Sequence, residues 1–468
     1  MEEIVLFHTN DLHSHFENWP KIRRLVKAKR SLYQKEGKTV VTIDLGDFSD
    51  RCHPLTEATD GRANVAIMNT LAYDLVTIGN NEGIGNSKKQ LEHLYDQATF
   101  EVVLANLEEP KTQTLPDFCQ AYKIMTTKEG TKLGFIGLTA PFPLTYNPNG
   151  WTIKQVEAVL PQLITEVAPQ CDVLILLSHL GIDTDFMIAA NYPEIQVILG
   201  SHTHHLFKDG EKINHVQLAA AGKYGQYIGE VHLFVDADTK QVTSYAKTIE
   251  TASLEEQATD AKEIAGYLTE GHRLLQAQQI AQIPETLSTD LRQPHAFITV
   301  ALKALKEAGQ TEAAVLNNGL FLADLPEGII NADQLHEALP HPMHLIKVTL
   351  KGSDMSRLIR EMEKSRQFLR KFPIRGMGFR GKIFGELCYD GIRFERNSQT
   401  VFWQGKPIQP EQKYTLTTVD HFQFVPFFPT IELVGEVEFL FPDVLRTVVA
   451  KLSACPLSNQ IKTRYNKN

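Results

Sequence analysis

A layered α/β fold is what this 468-residue chain predicts, and three observations predict it. The first half carries short, unbroken runs of Val, Ile and Leu, and such runs belong to strands covered on both faces. Polar, helix-compatible stretches at 21–34, 63–71, 87–96 and 154–167 separate them. After Pro284 the pattern restarts, in a chain too long for one ordinary core. Strands are expected at 4–7, 40–43, 75–78, 102–104, 173–177 and 197–199, with a late one at 228–235 ending in the turn Asp236-Ala237-Asp238. Residues 254–282, rich in Ala, Glu, Gln and Leu, predict one long helix. Beyond it come a helix at 297–307, strands at 313–316 and 344–350, a helix at 354–370, and strands at 391–395 and 413–419. The expected division is therefore 1–250, a linker helix over 251–284, and 285–468.

Composition narrows the class. An apolar fraction of 43% and a charged fraction of 22% are those of a globular protein. A net charge of −9 without a long basic tract argues against a nucleic-acid polymer as partner. The five cysteines, Cys52, Cys119, Cys171, Cys388 and Cys455, lack zinc or redox spacing and read as free thiols of a reducing compartment. The N-terminus is no signal peptide, and no apolar stretch approaches the ~18 residues of a membrane span. A cytoplasmic monomer or dimer with no membrane partner is expected.

Six of the apolar runs end in a residue able to hold a metal ion. They lead into Asp11-Leu12-His13, Gly46-Asp47, Gly79-Asn80, Asn106, His179, and Gly200-Ser201-His202-Thr203-His204. In extended chain, positions i and i+2 face the same way, so Asp11 pairs with His13 and His202 with His204. A glycine before Asp47 and before Asn80 lets the backbone turn at a strand end. Seven donors with one shared carboxylate suffice for two ions about 3.5–4 Å apart. Imidazole, carboxylate and amide together suit Mn, Zn, Fe or Co over Mg or Ca. Two such cations bring a shared water towards a pKa of ~7 and neutralise phosphate oxygens. No nucleophilic Gly-x-Ser-x-Gly appears, so a metal-bound hydroxide is the expected nucleophile. His8, His15, His53 and His205 fall beside these motifs and read as supporting or solvated groups.

Thr9-Asn10-Asp11-Leu12-His13, Leu45-Gly46-Asp47, Gly79-Asn80-Asn81-Glu82, Ser178-His179 and Gly200-Ser201-His202-Thr203-His204 resemble the calcineurin-like metallophosphoesterases. Within them the chain is similar to the 5′-nucleotidase, UDP-sugar hydrolase and 2′,3′-cyclic phosphodiesterase branch, over residues 1 to about 245. The resemblance implies a four-layer α/β/β/α sandwich with a C-terminal α+β substrate-binding domain. It implies one ion on Asp11, His13, Asp47 and His204 and another on Asp47, Asn80, His179 and His202, with Asp47 bridging. It implies, finally, a dimetal hydrolase of 5′-nucleotides, UDP-sugars or 2′,3′-cyclic nucleotides.

The chain departs from its family in two places. Where the family carries Gly-Asn-His-Glu and an Asp two residues later, this chain has Asn81 and Ile84. An amide cannot transfer a proton, although Asn81 can donate a hydrogen bond to a phosphoryl oxygen, so Asn81 stays with Asp47 as a candidate catalytic residue. General acid help is worth about 10²–10⁴-fold and matters most for a poor leaving group. Its loss points to pyrophosphate or diester substrates. In the second half, Leu316-Asn317-Asn318-Gly319, Gly328-Ile329-Ile330 and Val348-Thr349-Leu350-Lys351-Gly352 resemble the family's C-terminal domain, but Leu322 stands where that pattern has Arg. A basic stretch, Lys364, Arg366, Arg370, Lys371, Arg375, Arg380 and Lys382, offers phosphate contacts, Arg375 and Arg380 foremost. Phe422, Phe424, Phe427 and Phe428 fall where the family stacks a base, with Phe384 as an opposing ring. Asn317, Arg375, Arg380, Phe384, Phe424 and Phe427 are the candidate substrate-binding residues. Competing readings are a metal-retaining nucleotide-binding protein without turnover, a nuclease, and a hydrolase of another small phosphate or sulfur ester.

Overall fold

The structure, a computed structural model, describes residues 1–376 and 378–454, which leaves Cys455 outside. The chain divides into two compact units, the first ending at Gly271 and the second beginning at His272.

Two six-stranded sheets build the first unit. In spatial order one holds Val242–Glu250, Tyr227–Val235, Glu2–Thr9, Thr39–Asp44, Leu75–Val76 and Glu101–Val102. The other holds Glu211–Ile213, Val216–Ala219, Val197–Gly200, Val173–His179, Lys132–Thr139 and Tyr122–Thr126. Side chains alternate across a strand. Ile4 and Leu6 therefore join Val41, Ile43, Ile175, Leu177 and Leu199 in the core between the sheets. Phe7 turns outward and stacks on Tyr33 of the helix Trp19–Lys35, ring centroids 6.1 Å apart. On the other outer face Ile136, Leu138, Leu174 and Leu176 pack against Leu160, Leu163 and Val167 of the helix Val156–Val167. Helix, sheet, sheet, helix are the four layers, and burial on both faces is why the strands read as unbroken apolar runs. Each fully buried Leu, Ile or Phe contributes about 1.5–3 kcal/mol.

Parallel pairing brings strand ends together. Thr9 sits opposite Asp44, His179 opposite Thr139, and Gly200 opposite Ser178. The residues just past each strand, Asp11, Asp47 and His202 among them, are therefore delivered to one edge of the sandwich.

The second unit has a five-stranded sheet in the order Leu387–Asp390, Ala313–Asn317, Lys413–Val419, His344–Lys351, Glu436–Val444. Its core joins Leu302 and Leu305 of the helix Phe297–Gly309, Leu358 of the helix Gly352–Leu369, and Val315, Ile346 and Leu416 of the sheet. One expected element is corrected. The helix foreseen over 254–282 spans only Asp260–Gln276, and Gln279–Ile283 is a strand paired antiparallel with Gly328–Asn331. Ile280, Ala281 and Ile283 bury against the second unit's core, and that packing overrides a weak local preference for helix.

His341 lies buried in this unit with both ring nitrogens used. Nε2–H donates to the Leu320 carbonyl at 2.7 Å, and Nδ1 accepts the Arg380 N–H at 2.9 Å, so the neutral ring is the fitting form. Burial, reinforced by Arg380 and Arg446, lowers its pKa to about 3. An unfolded histidine titrates near ~6.5, so between the two values only the unfolded chain takes up the proton. The ring's contribution to stability is thus full above about pH 6.5 and is lost as pH falls towards 3. Urea denaturation of His341→Gln is expected to show a flatter profile than the parent between about pH 4 and 6.5, by up to about 1.4 kcal/mol per pH unit.

Candidate metal centre

The loops that leave these strands turn unusually sharply. Asp11, His13, Asp47, His202 and His204 have φ of 49°, 51°, 51°, 74° and 59°, in the left-handed region. That conformation costs a non-glycine residue about 1–3 kcal/mol and persists only where the surroundings enforce it. Here they do. The Asp11 N–H donates to the Gly46 carbonyl at 3.0 Å and the His13 N–H to the Asp47 carbonyl at 2.8 Å, tying two donor loops together. Gly46 and Gly79 lie back to back: a Cβ on Gly46 would come 2.2 Å from the Gly79 nitrogen, and one on Gly79 2.0 Å from Asp47 Oδ1. No side chain fits at either position.

The seven sequence-predicted donors converge. Asp11, His13 and His204 place one ligand atom each within 4.8 Å of one another, and so do Asp11, Asp47 and His179. Asp47 points one oxygen each way, Oδ2 to His13 Nε2 at 3.7 Å and Oδ1 to His179 Nε2 at 3.5 Å. His13 and His204 face each other, Nε2 to Nε2, at 3.1 Å. Asn80 Oδ1 lies 3.3 Å from His179 Nε2, and the His202 ring is 5.2 Å from that of His179, centroid to centroid. The His202 N–H donates to both Asp11 oxygens, at 3.2 and 3.1 Å.

Burial and neighbouring charge pull the groups of this cage in opposite directions. His179 Nδ1 lies 2.7 Å from the Leu45 carbonyl and donates to it, which aims Nε2 at Asp47 Oδ1 and Asn80 Oδ1. Burial works against charge on His179, yet Asp47 and Asp11 raise its pKa to about 9. Burial likewise opposes ionisation of Asp47, but His179 and His13 hold its carboxyl well below the usual range. Asp11, also buried, is pushed up to about 6. Burial lowers His202 and His204 to about 4, so both present free lone pairs at neutral pH. A donor set of imidazole, carboxylate and amide oxygen fits a transition metal.

Sequence reasoning gave no role to Glu82, the buried carboxylate beneath the cage. It accepts the Asp47 N–H at 2.9 Å, the Gly79 N–H at 3.0 Å, the Ser49 N–H at 2.8 Å and the Ser49 hydroxyl at 2.7 Å. Burial, and then Asp47, raises its pKa, while the Ser49 donors oppose that shift. The available signal was a Glu at the third position of the short helix Asn80–Gly83, where such a side chain turns back to cap the start. Asn10 and Ser201 also escaped notice: Asn10 Nδ2 donates to Asp11 Oδ2 at 2.8 Å, and Ser201 Oγ donates to the Ser178 carbonyl at 2.7 Å.

Asn81 is part of the cage wall. Its N–H donates to Asp47 Oδ1 at 2.7 Å, and Nδ2 lies 2.8 Å from the Ser49 carbonyl and 2.9 Å from His13 Nδ1. One amide proton is thus held by the Ser49 carbonyl, and the other faces His13 Nδ1, which accepts it only where that nitrogen is unprotonated. Asn106 is not in the cage: its amide bonds the Thr139 N–H and carbonyl at 3.0 and 2.7 Å and joins two strand ends. His8 is buried against Gly229, His53 Nδ1 caps a helix at Leu55, and His205 meets Thr203. His15 stacks on Tyr224, centroids 3.9 Å apart, beside His13 and His204.

The second unit treats its candidates unevenly. Phe384 is fully buried, packed on His421, Phe422 and Phe428, so its faces are covered and it serves the core. Phe422 and Phe428 are buried with it. Phe427 packs on Phe368 and Phe372, while Phe424 is 50% exposed. Asn317 is buried, its Nδ2 donating to the Phe384 carbonyl at 2.6 Å. Of the basic stretch, Arg366 and Arg370 are taken up by Glu363 and Glu386. Arg375 is exposed, and Arg380 Nη1 donates to the Phe379 carbonyl at 3.3 Å.

Comparison with known proteins agrees with this architecture. The calcineurin-like phosphoesterase family matches residues 4–206, and the 5′-nucleotidase C-terminal domain matches residues 277–424. An uncharacterized metallophosphoesterase of Bacillus subtilis (strain 168), YunD, is 35% identical over 460 residues, 96% of this chain and 98% of that protein. The trifunctional nucleotide phosphoesterase protein YfkN of the same organism is 24% identical over 77% of this chain and 27% of its own length. Among solved structures, the NAD nucleotidase of Haemophilus influenzae matches with a TM-score of 0.65 at 18% identity, covering 96% of this chain and 95% of that one. A 5′-nucleotidase precursor from Thermus thermophilus gives 0.57 at 18%, covering 97% and 96%. At such identities these two structures speak for the fold alone.

Glu82→Gln replaces an oxygen that accepts backbone N–H groups with an amide that opposes them. Calorimetric titration with Mn²⁺ is expected to show about 10–100-fold weaker binding than the parent, the usual cost of losing a group that orients metal ligands.

Proposed function

The chain belongs to the calcineurin-like metallophosphoesterases and is a phosphoester hydrolase, and from that premise we propose that it cleaves small nucleotide phosphoesters at a two-metal site. Substrates are 5′-nucleotides, UDP-sugars or 2′,3′-cyclic nucleotides. The observation that carries this reading is the convergence of histidine nitrogens and carboxylate oxygens on both sides of Asp47. Asp11, His13, Asp47 and His204 would hold one divalent ion, and Asp47, Asn80, His179 and His202 the other. The ions would supply an activated water near neutral pH and charge to stabilise the phosphoryl oxygens.

The residues of the chain do the rest. Asp47 spans the two halves of the cage, held by Glu82 through its own N–H. Asn81 fixes both Asp47 and the His13 ring, and it brings no acid to a departing alkoxide. That deficit favours pyrophosphates, whose phosphate leaving groups need little protonation. In the second unit Arg375, Arg380, Phe424 and Phe427 remain the candidate nucleotide contacts, while Asn317, fully buried and bonded to the Phe384 carbonyl, leaves that set. The name of YfkN, a nucleotide phosphoesterase, supports the substrate class. Among the described residues no helix is long and apolar enough to cross a membrane; a cytoplasmic setting is part of the proposal. Leu322, 44% exposed where the resemblance places Arg, favours a second reading in which the ester is small but not a nucleotide.

Cleavage of AMP, UDP-glucose, 2′,3′-cyclic AMP, dinucleotides and glycerol phosphate, followed by chromatography of the products after chelation and return of Mn, Co or Zn, decides between these. Activity is expected to vanish on chelation, to return with Mn, and to fall about a thousandfold in Asp47→Ala. No cleavage of any of these esters would overturn the proposal. Asn81→His is expected to raise AMP hydrolysis relative to UDP-glucose hydrolysis by up to about 10²-fold; an unchanged ratio removes the leaving-group account.

A further inference from the structure

We propose that Phe142 is a specificity-determining residue, an apolar wall beside the cage that receives a flat or hydrophobic group esterified to the phosphorus. This rests on the hydrolase reading above and adds to it which leaving groups the site prefers. The large aromatic side chains of the first unit are mostly buried, Trp19, Trp151, Tyr146 and Phe135 completely. Phe142 is 40% exposed, and Leu144, on the same loop, is 55% exposed. The Phe142 ring stands 5.7 Å from that of His202, centroid to centroid and tilted by 50°. An aromatic face left open beside a charged cage is suited to a ligand that is charged at one end and apolar at the other.

The loop is fixed in place. The Thr145 and Tyr146 N–H groups both donate to the Phe142 carbonyl at 3.0 Å, and Thr145 Oγ1 does so at 2.9 Å. Tyr146 is fully buried against Gly83, where a Cβ would come 2.2 Å from its hydroxyl. Asn149 Nδ2 adds bonds to the Gly83 and Asn86 carbonyls at 3.3 and 2.8 Å. The segment that carries Phe142 is thereby clamped to the helix Asn80–Gly83, which carries Asn80 and Asn81. Phe142 stands in a set position relative to the cage, and little ordering entropy is lost when a ligand packs on it. On the opposite flank the stacked His15 and Tyr224 border His13 and His204, so Phe142 marks the His202 side alone.

Two measurements on the Mn-loaded chain test the proposal. The ratio of kcat/KM for 4-nitrophenyl phosphate over glycerol phosphate is expected to fall about three- to tenfold in Phe142→Ala through KM, and to recover in Phe142→Trp. The dissociation constants of phenylphosphonate and methylphosphonate, measured by calorimetry, are expected to converge by the same factor in Phe142→Ala. A ratio that does not move, or a parallel loss of kcat for both esters, overturns the proposal and leaves the hydrolase reading standing. Release of phosphate from neither ester by the unmodified chain overturns this proposal, and the hydrolase reading falls with it only if UDP-glucose and 2′,3′-cyclic AMP are not cleaved either.

Discussion

One buried carboxylate underlies the arrangement of the cage. To aim side chains across the end of a sandwich, the chain must leave its strands abruptly, and abrupt exits strand backbone N–H groups away from water. An unmet buried N–H costs about 1–3 kcal/mol. Glu82 meets three of them, those of Asp47, Ser49 and Gly79, and the Ser49 hydroxyl as well. It thereby joins the loop that delivers Asp47 to the helix that delivers Asn80. The left-handed backbone at Asp11, His13 and Asp47 is tolerable because this network, with the bonds from Asp11 and His13 to the Gly46 and Asp47 carbonyls, allows no alternative.

The first unit was largely legible in the sequence because burial on both faces leaves an unmistakable trace. The strand Val173–His179 is apolar as far as Leu177, and the polar residues that end such a run stand out. Residues such as Glu82 and Ser201 were hidden for the opposite reason. Their partners are backbone groups, which carry no letter in the sequence. Asn106 shows the converse error: an amide at the end of an apolar run resembles a ligand, yet here its hydrogen bonds go to Thr139.

The second unit was less transparent. Periodicity located the strands Ala313–Asn317, His344–Lys351 and Lys413–Val419 and two helices, but missed the edge strands Leu387–Asp390 and Glu436–Val444, and aromatic residues look alike in a sequence whether they line a pocket or fill a core. Phe384 and Phe379 flank His421 in a stack that His341 extends, with centroid spacings of 5.3 to 5.5 Å. Rings committed to one another in this way are part of the framework, and Phe424, at a neighbouring sequence position, is left facing solvent. The segment after Gln276 was misread because three apolar residues in a polar run give no reliable period.

The back-to-back contact of Gly46 and Gly79 has a consequence for how this protein would look in a saturation mutagenesis survey. Neither position touches a cation or donates a proton, yet neither admits even a methyl group, because the nearest atoms are backbone and the Asp47 carboxylate itself. Both would score as intolerant as the histidines around them, and a map drawn from loss of activity alone would count two chemically inert residues among the reactive ones.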